Sequence, residues 1–475
     1  MNNKYRVLVL NLPGQVLKSG SRWYNVIKKE SASLRYYPYP WFMGYLTSLL
    51  KTNKYDAVLK DAVALEWTAD QARNYIKEYK PTHIVCEPTW VSSEDDKKFV
   101  KKLPGNIVKI AVGNYATNYP MECLAEGFDY VVVGEYEFLI LDFLKSGGKK
   151  LPKNFVSLTK KTFEHPDLIE DLDKFPFPER DDTPIEYFNE PSCYGKNVVL
   201  VTSRGCRFNC GFCNVEAIYG RHCYRMRSPE NVVDEIVELQ KKYKFDEIYC
   251  DDDNMVARKS HVDGICREII RRKVKVKFCC MGDARVDDET LELLAQAGCV
   301  TYKYGLEHLD KDVLAAIPKA LDPERSLQII KKCHELGIRA YANLIVGLPE
   351  SNWDKDLDML KMVFAARPDL IQIGIATPYP GTAFYKKSVE KGWLISKTGH
   401  DFDVTGQSVV SYPDYSAAKI TEMFHLGWTM WYKNVILHQP KTLWFFFVSE
   451  VRRNGFFPTI FKSFSYVAKT LRRSK

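Results

Sequence analysis

No apolar run in this 475-residue chain approaches the ~18–20 residues that span a bilayer, which excludes threading through a membrane by helices. No secretory leader precedes the first apolar stretch. The thirteen cysteines are odd in number and scattered through apolar runs, so we expect reduced thiols in the cytosol and no disulfide framework. Excess charge is equally scarce. Of a net +8, seven charges fall in residues 451–475, which hold no acidic residue, and the other 450 residues carry only +1. A near-neutral body excludes a broad nucleic-acid footprint. What remains is 45% hydrophobic and 27% charged, ordinary for a soluble globular protein and long enough for two or three cores.

The first third alternates strands and helices. Strands are expected at Tyr5–Leu10, Ala57–Leu59, His83–Cys86, Ile107–Val112 and, last, Gly127–Gly134, with helices at Pro40–Leu50, Ala69–Tyr79 and Asp95–Lys102. Buried strands linked by helices make a parallel, doubly wound, Rossmann-like sheet, whose ligands bind beyond the strands' C-terminal ends. Those ends fall near Asn11, Thr89, Gly113 and Gly134. From residue 151 to 190 the pattern loosens, and the proline-broken run Asp171–Pro178 reads as an extended linker.

In the middle third, Val198–Val201 leads into V-T-S-R-G-C-R-F-N-C-G-F-C-N-V, with Cys206, Cys210 and Cys213 at C-x3-C-x2-C spacing. Three thiolates could hold three irons of a [4Fe–4S] cube and leave the fourth open, with Phe208 and Phe212 screening it. His222 or Cys223 could instead complete a zinc site. Ser228 and Pro229 then cap a helix, and five more strand–helix units follow. Their strands end at Asp251-Asp252-Asp253, near Asp283 and Arg285, at Gly305-Leu306-Glu307, at Gly347-Leu348-Pro349-Glu350 and at Thr377–Thr382. Polar residues at six strand ends are how a β/α barrel places its chemistry. Each carboxylate could equally be a solvated strand end or a helix cap.

The cysteine loop and the six units together resemble the radical S-adenosylmethionine (radical SAM) superfamily, and a zinc knuckle would have no use for such strand ends. The resemblance implies a partial (β/α)6 barrel over 191–415. The cluster's open iron would be chelated by SAM, whose reductive cleavage gives a 5′-deoxyadenosyl radical. Ile345, Gly347 and Glu350 fit the family's G-x-I-x-G-x-x-E pattern, Asn343 replacing its first glycine. The SAM contacts this implies are Phe212, Asp252, Asp253, Arg285, Glu307, Ile345, Gly347 and Glu350.

Residues 1–150 resemble the cobalamin-binding domain of one radical SAM subfamily through Asn11, Pro13, Pro40, Gly44-Tyr45-Leu46, Asp61, Gly113, Thr117 and Gly134-Glu135-Tyr136-Glu137. The implied cobalamin contacts are Asn11, Thr89, Gly113, Thr117, Gly134 and Glu135. The D-x-H-x-x-G motif is absent, so no histidine would ligate cobalt, and a fold that has lost its cofactor stays open. The subfamily implies methylation of an unactivated carbon, or radical cyclisation or rearrangement. It also implies a reductant such as flavodoxin or ferredoxin and a small or lipid-like substrate. A non-catalytic iron–sulfur or corrinoid-binding protein is the alternative outside enzymes.

Residues 416–475 read as a helical extension. Met423–Val435 is an aromatic-rich helix, and Leu443–Val448 is apolar but too short to span. Ile460, Phe461, Phe464, Val467, Ala468 and Leu471 share one face of a basic helix, suited either to an anionic membrane surface on the cytoplasmic side or to packing on the barrel.

Overall fold

The computed structural model describes residues 5–14, 16–17, 27–28, 37–164, 167–188, 190–219, 222–319, 321–396, 399–402 and 404–454. The basic helical face expected at 460–471 lies outside them. The chain folds into two compact units. Among the described residues, one gathers those within 1–189, 204–227 and 377–410, the other those within 190–203, 228–376 and 411–454. Boundaries expected at 150, 190 and 415 follow the chain in order, whereas the units interleave it, because the cysteine loop and the segment 377–410 pack with the N-terminal sheet.

In the first unit, strands Arg6–Asn11, Asp56–Asp61, His83–Cys86, Val108–Ala111 and Tyr130–Val132 form a parallel sheet. Its spatial order puts Asp56–Asp61 beside Arg6–Asn11 and the rest on the other flank. Near-continuous burial along Arg6–Asn11 is what a sheet covered on both faces demands. Helix Ala69–Tyr79 matches expectation because Thr68 and Gln71 form a capping box at its start. Gly127–Gly134 is not the last strand. Phe155–Val156 adds an antiparallel edge, taking two residues from the expected linker. The remaining linker is not loose: Leu59 N donates to Asp182 Oδ2 (2.9 Å) and Lys51 Nζ pairs with Glu179 (2.7 Å), fixing it along the Asp56–Asp61 edge.

In the second unit, six parallel strands stand in chain order: Asn197–Leu200, Glu247–Cys250, Phe278–Asp283, Cys299–Glu307, Arg339–Val346 and Leu370–Ile375. This is the half-barrel that the six expected strand ends call for. Ser228 accepts from Asn231 N and Pro229 opens helix Pro229–Lys242, as read from sequence. Helix Ala417–His438 lays Ile420, Met423, Gly427 and Trp431 inward, with Gly427 facing Ile373. No helix among the described residues is long and apolar enough to cross a membrane.

Candidate functional site: a thiol pocket and two sets of strand ends

The cysteine loop is closed at its base by strand Ser203–Cys206 pairing with Cys223–Met226. Gly205 makes that pairing possible. Its φ is +88°, and a Cβ there would stand 2.2 Å from the Cys223 carbonyl oxygen. Within the loop Cys213 N donates to Cys210 O (2.9 Å). Cys206, Cys210 and Cys213 are all half-buried and line one pocket with Phe208, His222 and Cys223. Phe212, expected to screen the cluster and touch SAM, is not among the lining residues. His222 Nε2 lies 3.0 Å from Glu216. Among the described residues no three His, Cys, Asp or Glu side chains converge as a single metal ion requires. Nine other cysteines are fully buried, and burial pushes Cys266 and Cys333 up to about 12, so these are inert thiols. The half-buried loop thiols stand apart from them as candidates for metal chemistry.

Arg204 anchors the base of this loop. Fully buried, it pairs with Glu135 and Glu137, each at 2.9 Å, and its guanidinium lies 4.2 Å from the Phe175 ring centroid and 4.8 Å from that of Phe42. Arg225 takes the other side of Glu135 (2.8 Å) and donates to Ile169 O (2.8 Å). Burial alone would raise the Glu135 carboxyl, but Arg204 and Arg225 outweigh it and hold it below the ordinary range. Glu137, with Glu135 beside it, stays raised, burial being the larger influence. Glu135 was expected to face cobalamin; the structure engages both its oxygens in this internal pairing instead. Sequence reading missed Arg204 and Arg225 as its partners, since they stand 69 and 90 residues from it.

The strand order of the first sheet reverses between Arg6–Asn11 and His83–Cys86, and ligands of such sheets sit in the crevice at that switch point. Asn11 ends the first of these strands, 1% exposed, and its Nδ2 has no hydrogen-bond partner. The same holds for Nδ2 of buried Asn114, one residue into helix Gly113–Asn118. Thr117 draws two strand ends together. Its Oγ1 donates to Gly113 O (2.8 Å) and accepts from Gly134 N (3.0 Å), so three predicted positions share one corner. Thr89, by contrast, is turned into its own helix start, its hydroxyl on Ser92 Oγ (2.7 Å). Glu87, which no sequence signal singled out, accepts from the Tyr136 hydroxyl.

In the second unit most of the charge at the strand ends is already partnered. Asp252 Oδ1 accepts from Thr202 N (3.1 Å), Thr202 Oγ1 (2.8 Å) and Ser203 Oγ (2.6 Å). Expected to meet the SAM amino group, it braces the residues that lead into the cysteine loop. Asp253 beside it is half-buried. Arg285 Nη2 donates to Asp283 (2.9 Å), and Glu307 takes Lys319 Nζ at 2.5 Å. Ile345 is half-buried and Glu350 is exposed, its carbonyl accepting from Lys355. Gly347 has φ +74°, and a Cβ on it would come within 2.5 Å of Ile420. Its backbone is fixed by Asp356, a fully buried carboxylate missed in sequence. Asp356 accepts from Gly347 N (2.9 Å), Ser351 Oγ (2.5 Å) and Tyr415 Oη (2.8 Å), with His308 Nε2 at 3.2 Å.

Residues 200–363 match the family model of the Radical SAM superfamily. Over 408 residues the chain is 25% identical to an uncharacterised methyltransferase of Pyrococcus horikoshii, covering 83% of this chain and 87% of that one. It is 26% identical over 381 residues to the anaerobic magnesium-protoporphyrin IX monomethyl ester cyclase of Rubrivivax gelatinosus, covering 74% and 66%. Among solved structures it resembles TsrM of Kitasatospora setae, a radical S-adenosylmethionine methyltransferase determined with cobalamin and a [4Fe–4S] cluster. The TM-score is 0.64 at 16% identity, over 82% of this chain and 75% of that one, a likeness of fold. The three pocket thiols and the first five strands of the in-order parallel half-barrel fall in or at the edge of the matched segment, and the chain carries a radical SAM superfamily domain over residues 200–363.

Proposed function

We propose that this enzyme is a cobalamin-dependent radical SAM methyltransferase acting on an unactivated carbon. The observation that carries the radical chemistry is the thiol pocket: three half-buried cysteines at C-x3-C-x2-C spacing, in a chain whose other nine core cysteines are sealed. Three thiolates at that spacing suit a cube with one open iron, and Cys223, the fourth thiol lining the pocket, lies outside the spacing. For cobalamin the fit lies in Asn11 and Asn114, buried amides with unpartnered nitrogens at the first sheet's C-terminal edge, where a macrocycle ringed with carboxamides would supply acceptors. When bound, the cluster and SAM supply a hydrogen-abstracting radical and the corrin a transferable methyl group.

The chain's own residues bind and orient. Cys206, Cys210 and Cys213 hold iron. Gly113, Thr117 and Gly134 shape the corrin corner. Gly347 and Ile345 present backbone and apolar surface to SAM, with Asp253, Arg285, Glu307 and Glu350 as its polar contacts. Asp252 and Glu135 serve as braces. The three expected regions, a corrin domain over 1–150, a barrel over 191–415 and an extension beyond, are kept as functional divisions. The enzyme works in the cytoplasm with a flavodoxin- or ferredoxin-type reductant, on a small or lipid-like substrate, and its basic tail rests on an anionic membrane surface.

Anaerobically reconstituted protein is expected to bind about four irons and to release 5′-deoxyadenosine from SAM under reduction. Changing Cys206, Cys210 and Cys213 to Ala abolishes both. SAM cleavage by that triple variant, or a preference of the wild type for zinc, overturns the radical reading. A second reading, cyclisation or rearrangement, is favoured by the similarity to the magnesium-protoporphyrin cyclase of Rubrivivax gelatinosus. Product mass separates the two: methyl transfer adds one carbon and two hydrogens net, whereas cyclisation or rearrangement adds no carbon. A wild type that binds both cofactors yet never cleaves SAM would be a binding protein.

A further inference from the structure

Asn214 directly follows the third cysteine and is 1% exposed, yet neither its side-chain oxygen nor its nitrogen has a hydrogen-bond partner. Buried carboxamides rarely stay unsatisfied at both ends, so the group calls for a polar partner. Its neighbours show where that partner lies. Cys213 and Val215 line the thiol pocket, whereas Asn214 between them does not, so the pocket itself is not where its amide is satisfied. It is not used as a helix cap either: the contact to Ile218 N is made by the Asn214 backbone carbonyl (3.1 Å).

The loop runs on into helix Val215–Tyr219, which packs against helix Gly113–Asn118. The two approach closely, since a Cβ on Gly381 would stand 2.6 Å from Asn118 Oδ1 and 2.9 Å from the Ala217 Cβ. The second helix carries Asn114, whose Nδ2 is likewise buried and unpartnered. Two incomplete amides, one from the cysteine loop and one from the first sheet's edge, thus sit on helices that face each other within one unit.

We infer that Asn214 is a corrin-positioning residue, exchanging hydrogen bonds with a peripheral carboxamide of a corrin held against helix Gly113–Asn118. This rests on the cobalamin reading above. A carboxamide both donates and accepts, so one amide–amide pair completes both ends of Asn214. A carboxylate can only accept and an ammonium can only donate. Corrin binding then orders the segment that carries the third thiolate.

The test is spectral titration of full-length, anaerobically reconstituted protein with hydroxocobalamin, with iron counted in the same samples. Asn214→Leu is expected to weaken hydroxocobalamin binding at least tenfold while keeping the wild-type iron content. Asn214→Asp, which loses the donor but keeps shape and polarity, weakens it as well, and guards against a Leu variant that fails to fold. Asn114→Leu behaves alike. Wild-type affinity in both Asn214 variants overturns the inference and leaves the cobalamin reading standing. Loss of iron at wild-type affinity for the corrin also overturns it, since the amide would then serve the cluster loop. A wild type that retains no corrin overturns the cobalamin reading itself, before any variant is compared.

Discussion

The two sheets of this protein end in different ways. Where the strands of the first sheet finish, small polar side chains and glycines predominate, and two buried amides lack partners. Where those of the second finish, charges predominate and are paired: Asp283 with Arg285, Glu307 with Lys319, and Asp252 and Asp356 with backbone and hydroxyl donors. An edge whose hydrogen bonds are incomplete suits a large ligand that completes them. An edge whose carboxylates already hold backbone in place suits exact presentation of a smaller one. The first unit's strongest electrostatics, moreover, are turned inward: Glu135, next in the chain to the edge residue Gly134, and Glu137 are held by the fully buried Arg204 at the base of the cysteine loop.

Breaking that cluster gives the largest effect on stability. Arg204→Met leaves Glu137 buried beside Glu135 with its cation gone, and removing one partner of a buried pair costs about 3–5 kcal/mol. Adding Glu137→Leu should recover part of this, since apolar replacement of a whole buried pair is often neutral. Arg285→Met in the second unit, where the arginine is 29% exposed, should cost about 1 kcal/mol or less. Urea unfolding of the three variants measures the contrast. Equal losses at Arg204 and Arg285 would erase the distinction between the units.

The second sheet is sharpened at Asp356. Asp356→Ala strips acceptors from Gly347 N, Ser351, Tyr415 and His308 at once. Each lost charged hydrogen bond is worth about 1.5–3 kcal/mol. Because the carboxylate positions Gly347 and touches no reacting group, SAM affinity should fall about 10- to 100-fold, which corresponds to about 1.4–2.8 kcal/mol. Asp356→Asn, keeping one acceptor oxygen, should recover part of it. Equilibrium dialysis with SAM decides. Unchanged affinity in the Ala variant would show that the paired carboxylates are ordinary core and not braces for a ligand.

The fold was largely legible in the sequence because both sheets are parallel and buried, so each strand is a short apolar run ending in polar residues. The cysteine trio was legible for the same reason that it works: spacing within a loop is local. What escaped was long-range or subtractive. The Arg204 cluster joins residues 69 and 90 positions apart, and nothing local distinguishes Glu135 as a brace from Glu135 as a ligand. Asp252 read as a free carboxylate because its partners Thr202 and Ser203 lie on a neighbouring strand end. Phe155–Val156 is too short to show a period. Asn114 and Asn214 matter through the hydrogen bonds they do not make, which only coordinates reveal.

The smallest effect concerns the support of the open edge. Helix Gly113–Asn118 carries Tyr115, whose hydroxyl donates to Glu126 Oε1 (2.9 Å), while Glu126 Oε2 is buried without a partner. Burial is the main cause that pushes this carboxyl up to about 7, against the single Tyr115 bond that favours ionisation. A carboxyl raised in the folded state binds its proton more tightly there than in the unfolded chain. Its contribution is therefore complete below about pH 4.5 and is lost as pH rises toward 7. Glu126→Gln keeps the acceptor for Tyr115 and removes the ionisation, so the variant should gain about 1–2 kcal/mol on the wild type at pH 8, after allowance for screening by solvent, and nothing near pH 4.5. Urea midpoints taken from pH 4.5 to 8 read this directly. Parallel curves for the two proteins would mean that Glu126 is solvated, and that the edge helix rests on packing alone.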